Sequence, residues 1–310
     1  MRIIRDPGEL EAHSRKVCVA IGMFDGVHLG HQQVIRQMVA DAEQHEALAA
    51  VITFDRHPNA VVAPDRTPEL IYSLPQKLRA VESLGAEVTW LIEFNAKFSR
   101  QTGEDFIRKL ARDFGRVESV CVGSAFSFGH KRSGNVELLR KLGRELRFGV
   151  HGLAAVALDG KVVSSTRIRD AIRAGQLDAA SQMLGRGYAL AGVVVRGDGV
   201  GTKLGYPTAN IDTRRLVLPP NGVYAAHARL GQHVYRAALN IGVRPTLKEK
   251  APQRRVEAHL LDFTAEIYGQ ELEVTFAGKL RDERKFPSLD ALRGQIALDL
   301  QAARELFGNV

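Results

Sequence analysis

The strongest constraint in this chain is a change of hydrophobic rhythm near Gly185–Gly187. Before it, short apolar runs alternate with segments of helical period; after it, strand-like runs follow one another between turn residues. The first pattern is that of an α/β domain, a Rossmann-like parallel sheet covered by helices. The second is that of an antiparallel β-barrel or sandwich. The change divides the 310 residues into 1–185 and 186–310, lengths that each suit one domain.

In the first part strands are expected at Val17–Met23, Leu48–Phe54, Val88–Phe94 and Ser119–Gly123. Helices are expected between them, at Gln32–Gln44, Gln76–Leu84, Glu104–Phe114 and Val136–Arg147. A hairpin follows, Ala155–Leu158 and Lys161–Val163 around the turn Asp159–Gly160. In the second part the strands are Tyr188–Val195, Gly222–Leu230, His233–Ile241, Arg255–Phe263 and Glu271–Phe276. Ser288–Phe307 closes the chain as a helix capped by Ser288, with Leu289, Leu292, Ile296, Leu300 and Ala303 as its buried stripe.

Composition narrows the function classes. Net charge is +8, but Lys and Arg are interleaved with acids and form no long block, which argues against a nucleic-acid-binding tail. Phosphorylated small molecules account for the basic excess equally well. No apolar run approaches the ~20 residues of a membrane span, and the start, Met1–Leu10, is charged. The expectation is therefore a cytoplasmic protein without membrane or nucleic-acid partners. Cys18 and Cys121 sit in apolar stretches and read as buried core thiols.

The first candidate site is Gly22-Met23-Phe24-Asp25-Gly26-Val27-His28-Leu29-Gly30-His31, between a strand and a helix. A loop leaving a parallel strand and entering a helix offers backbone N–H groups and the positive end of the helix dipole to an anion. His28 and His31, three apart, lie side by side on a first helical turn and can donate to a triphosphate. A metal pair and plain surface histidines are the alternatives, and no third ligand stands at metal-site spacing. A second phosphate-facing element is Val163-Ser164-Ser165-Thr166-Arg167-Ile168-Arg169. Ser165 or Thr166 can cap the helix that follows, with an arginine one turn on to clamp phosphate; a capped helix with surface arginines reads equally well.

Together these motifs resemble the nucleotidyltransferase half of the prokaryotic bifunctional riboflavin kinase/FAD synthetases. The resemblance implies that His28 and His31 bind ATP phosphates and stabilise the transition state, with Ser164, Ser165, Thr166 and Arg169 assisting. It implies a magnesium-assisted adenylyl transfer releasing pyrophosphate, with Gly22, Phe24, Asp25, Gly26 and Gly30 binding the nucleotide and the two glycines Gly26 and Gly30 letting backbone and phosphate approach closely. Thr53-Phe54-Asp55-Arg56-His57-Pro58 fits the family's strand-end loop, with His57 as a ligand contact. Val122-Gly123-Ser124-Ala125-Phe126-Ser127-Phe128-Gly129 to Arg132-Ser133-Gly134-Asn135 corresponds to the loop that holds the flavin, here with Phe126 and Phe128. It departs from the family at Ala125, where Asp or Asn is usual, and at Asn135, where Asp is usual. A second reading follows, a kinase whose N-terminal half is weak or takes another phosphorylated acceptor.

The second candidate site begins at Gly197-Asp198-Gly199-Val200-Gly201-Thr202-Lys203-Leu204-Gly205-Tyr206-Pro207-Thr208-Ala209-Asn210. Its glycines make a loop whose N–H groups can wrap phosphates, although neither the dinucleotide nor the P-loop spacing is present. Thr208 and Asn210 point to one side if extended, so a hydroxyl and an amide oxygen can reach a hard cation; an ordinary turn between strands is the alternative. With Asn240-Ile241-Gly242-Val243-Arg244-Pro245-Thr246, Val256-Glu257-Ala258-His259, Tyr268-Gly269 and Leu280-Arg281-Asp282-Glu283-Arg284-Lys285-Phe286, this stretch resembles the riboflavin kinase module of the same family. The resemblance implies Thr208 and Asn210 on Mg²⁺ with ATP, Glu257 on the ribityl hydroxyl, and Arg281 and Phe286 at the flavin end. Arginine is usual where Thr202 stands, and Lys203 is the neighbouring cation. The implied ligands are riboflavin, FMN, FAD and ATP, and the expected assembly is a monomer or weak homo-oligomer. A flavin- or nucleotide-responsive regulatory protein is the remaining class, and it predicts loss of Thr208, Asn210 and Glu257, all of which are present.

Overall fold

The β-branched and aliphatic runs of the first part become strands buried on both faces. The structure, a computed structural model, describes residues 1–10, 16–243 and 254–308. Arg244, Pro245 and Thr246 of the motif above lie outside the described residues. By their contacts the residues form two compact units, Met1–Arg167 with Met183–Gly185, and Ile168–Gln182 with Arg186–Val310.

The first unit is built on β1 (Arg2–Ile4), β2 (Lys16–Ile21), β3 (Leu48–Phe54), β4 (Val88–Ile92), β5 (Arg116–Gly123) and β8 (Gly149–Leu153). Among the described residues they form one six-stranded parallel sheet in the order β1-β4-β3-β2-β5-β8. Two two-residue hairpins stand apart from it, β6 (Ser127–Phe128) with β7 (Gly134–Asn135), and β9 (Ala157–Leu158) with β10 (Lys161–Val162). The helices are α1 (Leu29–His45), the single turn α2 (Asn59–Val62), α3 (Leu74–Glu82), α4 (Gly103–Phe114) and α5 (Val136–Leu146). Val19, Ile21, Ile52, Trp90 and Val120 pack with Ile107, Leu110 and Leu139 on one face, while Cys18, Ala20 and Val51 pack with Ile35 and Met38 on the other. Burial on both faces explains why these strands read as near-continuous apolar runs. Cys18 and Cys121 are free and buried as expected, and burial pushes both thiols up, away from reactivity.

Two helices follow, α6 (Ser165–Arg173) and α7 (Leu177–Leu184). The second unit then closes a barrel from β11 (Ala189–Val195), β12 (Ala209–Ile211), β13 (Gly222–Leu230), β14 (His233–Val243), β15 (Arg254–Leu260) and β16 (Glu271–Asp282), with the one-turn helix α8 (Val200–Lys203) inside the glycine loop. Strand order is β11-β12-β15-β14-β13-β16, antiparallel throughout. The C-terminal helix α9 (Leu289–Leu306) is capped by Ser288, whose hydroxyl accepts the Ala291 N–H at 3.1 Å. Its expected stripe needs one correction. Leu289 is 64% exposed, and the buried positions are Ala303 and Asp299. Leu289 stands at the free first turn, whereas Ala303 packs on Ala225 and Ala238 of the barrel.

Candidate functional site

In the first unit the strand-to-helix loop is wound tightly. Phe24 takes the left-handed conformation (φ 51°) and Gly26 follows at φ 78°, a position where a Cβ would also press on Ile71. The Asp25 carboxylate is turned inward, accepting the N–H groups of Ile71 at 3.0 Å and Tyr72 at 3.3 Å. Asp25 and Gly26 thus shape the turn. His28 is the N-cap of α1, one residue before the helix, and its Nδ1 accepts the His31 N–H at 3.4 Å. That bond places the proton of a neutral His28 on Nε2. The two imidazoles stack, with centroids 3.6 Å apart and planes 20° from parallel. Phe24 closes the other side of His31, edge-on at 5.3 Å. Burial first, then the charges of His28 and Lys77, hold His31 well below the ordinary histidine range, so its ring is neutral. Its buried Nδ1 has no hydrogen-bond partner among the described residues.

Gly22, Phe24, His28, Gly30 and His31 line one cleft of about 270 Å³, shared with Ser124, Ala125 and Phe126 at the end of β5. Phe126 stacks on Phe128 at 5.2 Å, and Phe128 meets Phe106, which meets Phe98 in turn. A chain of aromatic contacts therefore leads from the histidine cleft to Phe106 in the core. Asn135 keeps a structural task that an acid would also perform, since its Oδ1 accepts the Leu138 N–H at 2.9 Å and caps α5.

The Ser-Ser-Thr element is arranged differently from its sequence reading. Ser164, rather than Ser165 or Thr166, is positioned to cap α6, its hydroxyl accepting the Arg167 N–H at 3.2 Å. This frees the Ser165 hydroxyl to donate to the Asp25 carbonyl at 3.1 Å, which ties that residue to the histidine loop. Thr166 stands in the first turn; Arg167 clamps the hairpin carbonyls of Leu158 and Lys161, and Arg169 is buried one turn further on. His57 Nδ1 accepts the Asn59 N–H at 3.1 Å, fixing the turn after β3.

In the barrel, strand register assembles the site. Asn210 on β12 stands opposite Glu257 on β15, and Glu257 stands opposite Asn240 on β14. Residues opposite one another on neighbouring strands share a face, so the three polar side chains form a row. Asn240 opens the Asn-Ile-Gly-Val segment, where its sequence context assigns it no role. Glu257 and Asn240 line a cleft of about 260 Å³ with Thr208, His259, Arg281 and Phe286. A neighbouring cleft of about 300 Å³ holds Thr202, Thr208 and Tyr268, so Thr208 borders both. Gly197 lies so close to Asn210 that a Cβ would come within 2.2 Å of its amide nitrogen. Gly199, Gly201, Lys203 and Gly205 continue the loop around α8, and Lys203 is exposed. Arg255 anchors that loop through Asp198 at 2.9 Å. His259 Nδ1 lies 2.7 Å from the Pro207 carbonyl, which can only accept, so this nitrogen carries the proton.

Arg281 is engaged. Its guanidinium grips the buried Asp299 carboxylate from α9 with two bonds of 2.8 and 2.7 Å and lies 5.7 Å over the Phe286 ring. It thereby sets the wall of the cleft, and Asp299 is the partner that sequence reading missed. A hydroxyl, two amides and a carboxylate are hard oxygen donors that suit Mg²⁺ with substrate phosphates completing its shell. No cluster of three or more His, Cys, Asp or Glu able to hold a metal occurs among the described residues.

Residues 10–167 match a family model described as FAD synthetase, and residues 184–307 match one described as riboflavin kinase. A bifunctional riboflavin kinase/FMN adenylyltransferase of Escherichia coli strain K12 is 36% identical, covering 99% of this chain and 98% of its own. The protein of that description from Bacillus subtilis strain 168 is 34% identical over 97% of this chain and 96% of its own. A crystal structure of a macrolide-efflux protein from Streptococcus pneumoniae is similar with a TM-score of 0.81 at 28% identity, over 97% of this chain and 98% of that one. Among the described residues no helix is long and apolar enough to cross a membrane.

Proposed function

We propose, from the premise that the chain belongs to the bifunctional riboflavin kinase/FMN adenylyltransferase family, an assignment of its two reactions to named side chains. The C-terminal part phosphorylates riboflavin to FMN with ATP, and the N-terminal part adenylylates FMN to FAD. What supports the assignment is one observation made in both units: motif residues far apart in sequence line a single cleft.

In the adenylyl site, a phosphate oxygen of FMN attacks the α-phosphorus of ATP and pyrophosphate leaves. His28, held as the Nε2–H tautomer, donates to the triphosphate. His31 completes its orphaned Nδ1 on the same phosphates, and both rings stabilise the charge that builds in the transition state. The Ser165–Asp25 bond keeps Ser165 beside this loop, where Ser164, Ser165 and Thr166 assist. Phe126 and Phe128 offer the aromatic face for the isoalloxazine, and His57 holds the rim of the site.

In the kinase site, Glu257 accepts the proton of the ribityl hydroxyl as that oxygen attacks the γ-phosphorus and ADP leaves. The nucleotide takes the cleft at Thr202 and Tyr268 under the Gly197–Gly205 loop, with Lys203 at its edge; the flavin takes the one at Phe286 and Arg281. Thr208, on the border of both, and Asn210 would hold Mg²⁺, which neutralises phosphate charge when bound. Asn240, beside Glu257, orients the carboxylate or the hydroxyl it deprotonates. The two free buried thiols fit a reducing, cytoplasmic setting; a monomer or weak homo-oligomer without nucleic-acid partners remains the expectation from the sequence.

The test is chromatographic separation of flavins after incubation with riboflavin, ATP and Mg²⁺. FAD is the expected end product. A wild-type reaction that halts at FMN with ATP in excess would overturn the N-terminal assignment and leave the kinase standing.

A further inference from the structure

Lys77, on α3, is 4% exposed, and no motif discussed above contains it. Its ammonium donates to the Phe54 carbonyl at 2.7 Å, the Thr53 hydroxyl at 3.2 Å and the Met23 carbonyl at 3.3 Å. Thr53 also donates to the Met23 carbonyl, at 3.1 Å. One side chain thus ties the ends of β2 and β3 at the points where both site loops depart. Met23 precedes Phe24, whose left-handed backbone and buried ring set the edge against which His31 stands. A buried ammonium is an expensive way to fasten two loops, because charge is poorly solvated there.

We propose that Lys77 is a positioning residue for adenylyl transfer, fixing the turns after β2 and β3 so that His31 meets the α-phosphate of ATP. The proposal rests on the assignment of the histidine pair made above. Lys77 also acts through its charge, which helps keep His31 neutral until an anion arrives. The charged and titratable groups that bear on the ammonium are Asp25 from the histidine loop, Asp55 after β3 and His31 on α1. Burial pushes its pKa down to about 8, against the pull of the two carboxylates, so its charge is lost as pH rises through that value.

The test is the full chain carrying Lys77→Met, assayed separately for FMN-to-FAD and riboflavin-to-FMN conversion. Adenylyl kcat is expected to fall by about tenfold to a hundredfold with little change in KM for ATP, because the reacting groups are displaced rather than binding lost. The kinase rate is expected to stay within about twofold, and the unchanged KM for ATP together with a titrating His31 signal reports that the unit holding Lys77 has folded. In the wild type adenylyl kcat declines above pH about 8, while in the variant that limb is absent and the His31 ring titrates closer to its ordinary value by NMR. Lys77→Gln keeps a donor for the Phe54 carbonyl without the charge, and is expected to restore part of kcat and none of the pH limb. An adenylyl kcat within about threefold of wild type in both variants would overturn the proposal, since a displaced site costs more than that. Loss of both activities in both variants, or an unmoved His31 titration, would overturn it too. If instead His28→Ala and His31→Ala leave FAD formation intact, the premise fails and not the lysine.

Discussion

The two sites are built by different means. In the sheet unit Asp25, His28 and His31 come from one continuous stretch, the loop after β2 and the first turn of α1, and Asp25 and His28 are only 3% and 6% exposed. In the barrel unit Asn210, Glu257 and Asn240 come from three strands, are half-buried or exposed, and meet only because the register aligns them. A loop site is carried by its local sequence, including the αL turn, the N-cap histidine and the glycine between. A register site is carried by pairing between distant segments, so one-residue slips would dismantle it. Such a row tolerates change around it but depends heavily on the one member that does the chemistry.

Glu257→Gln tests that dependence, and the largest effect is expected there. Removing the group that takes the hydroxyl proton should lower the kinase kcat by about 10²–10⁴-fold, with FMN-to-FAD conversion unaffected when FMN is supplied. A loss of less than about tenfold would mean that positioning and metal carry the transfer without a base. His28→Ala should lower adenylyl kcat by about 10²–10³-fold through loss of a transition-state donor, leaving riboflavin phosphorylation untouched.

The barrel's support is tested through stability. Asp299→Ala leaves the partly exposed Arg281 guanidinium without its carboxylate and should cost about 1–3 kcal/mol in the barrel's unfolding free energy, the loss of a charge-assisted pair that water can partly replace. Denaturant unfolding measures it, and a change below about 1 kcal/mol would show that Arg281 finds another partner or water. The smallest effect concerns the departure at Ala125, which lines the histidine cleft with its methyl group. Ala125→Asn restores a hydrogen-bonding side chain and should lower KM for FMN by up to about tenfold, the worth of one hydrogen bond. An unchanged KM would show that flavin binding here does not use that position.

Much of the fold was legible because it rests on local patterning. The expected strands Leu48–Phe54 and Gly222–Leu230 have the observed limits, one an apolar run interrupted only by Thr53 and the other followed by the Gly231–Gln232 turn. What was missed lacks such a signal. β1 spans Arg2–Ile4 and is too short to show a period, β8 (Gly149–Leu153) carries two glycines, and β12 (Ala209–Ile211) is hidden inside the Pro-Thr-Ala-Asn segment. The histidine pair was legible for the same local reason. Asn240 and Asp299 were not, because their roles come from partners 17 residues and 18 residues away in sequence, Glu257 and Arg281. Lys77 sits in Leu-Pro-Gln-Lys-Leu-Arg, where nothing in the string distinguishes a buried lysine from a solvated one.

The most direct test of the central claim, that two separate sites on one chain act in sequence, is to mix His28→Ala with Glu257→Gln and follow the flavins. Alone, the first should stop at FMN, and the second should leave riboflavin unchanged while converting added FMN to FAD. Mixed in equal amounts with riboflavin, ATP and Mg²⁺, they should make FAD through released FMN. If His28→Ala also fails to form FMN, or Glu257→Gln fails to convert supplied FMN, the two residues do not belong to independent sites and the account is wrong.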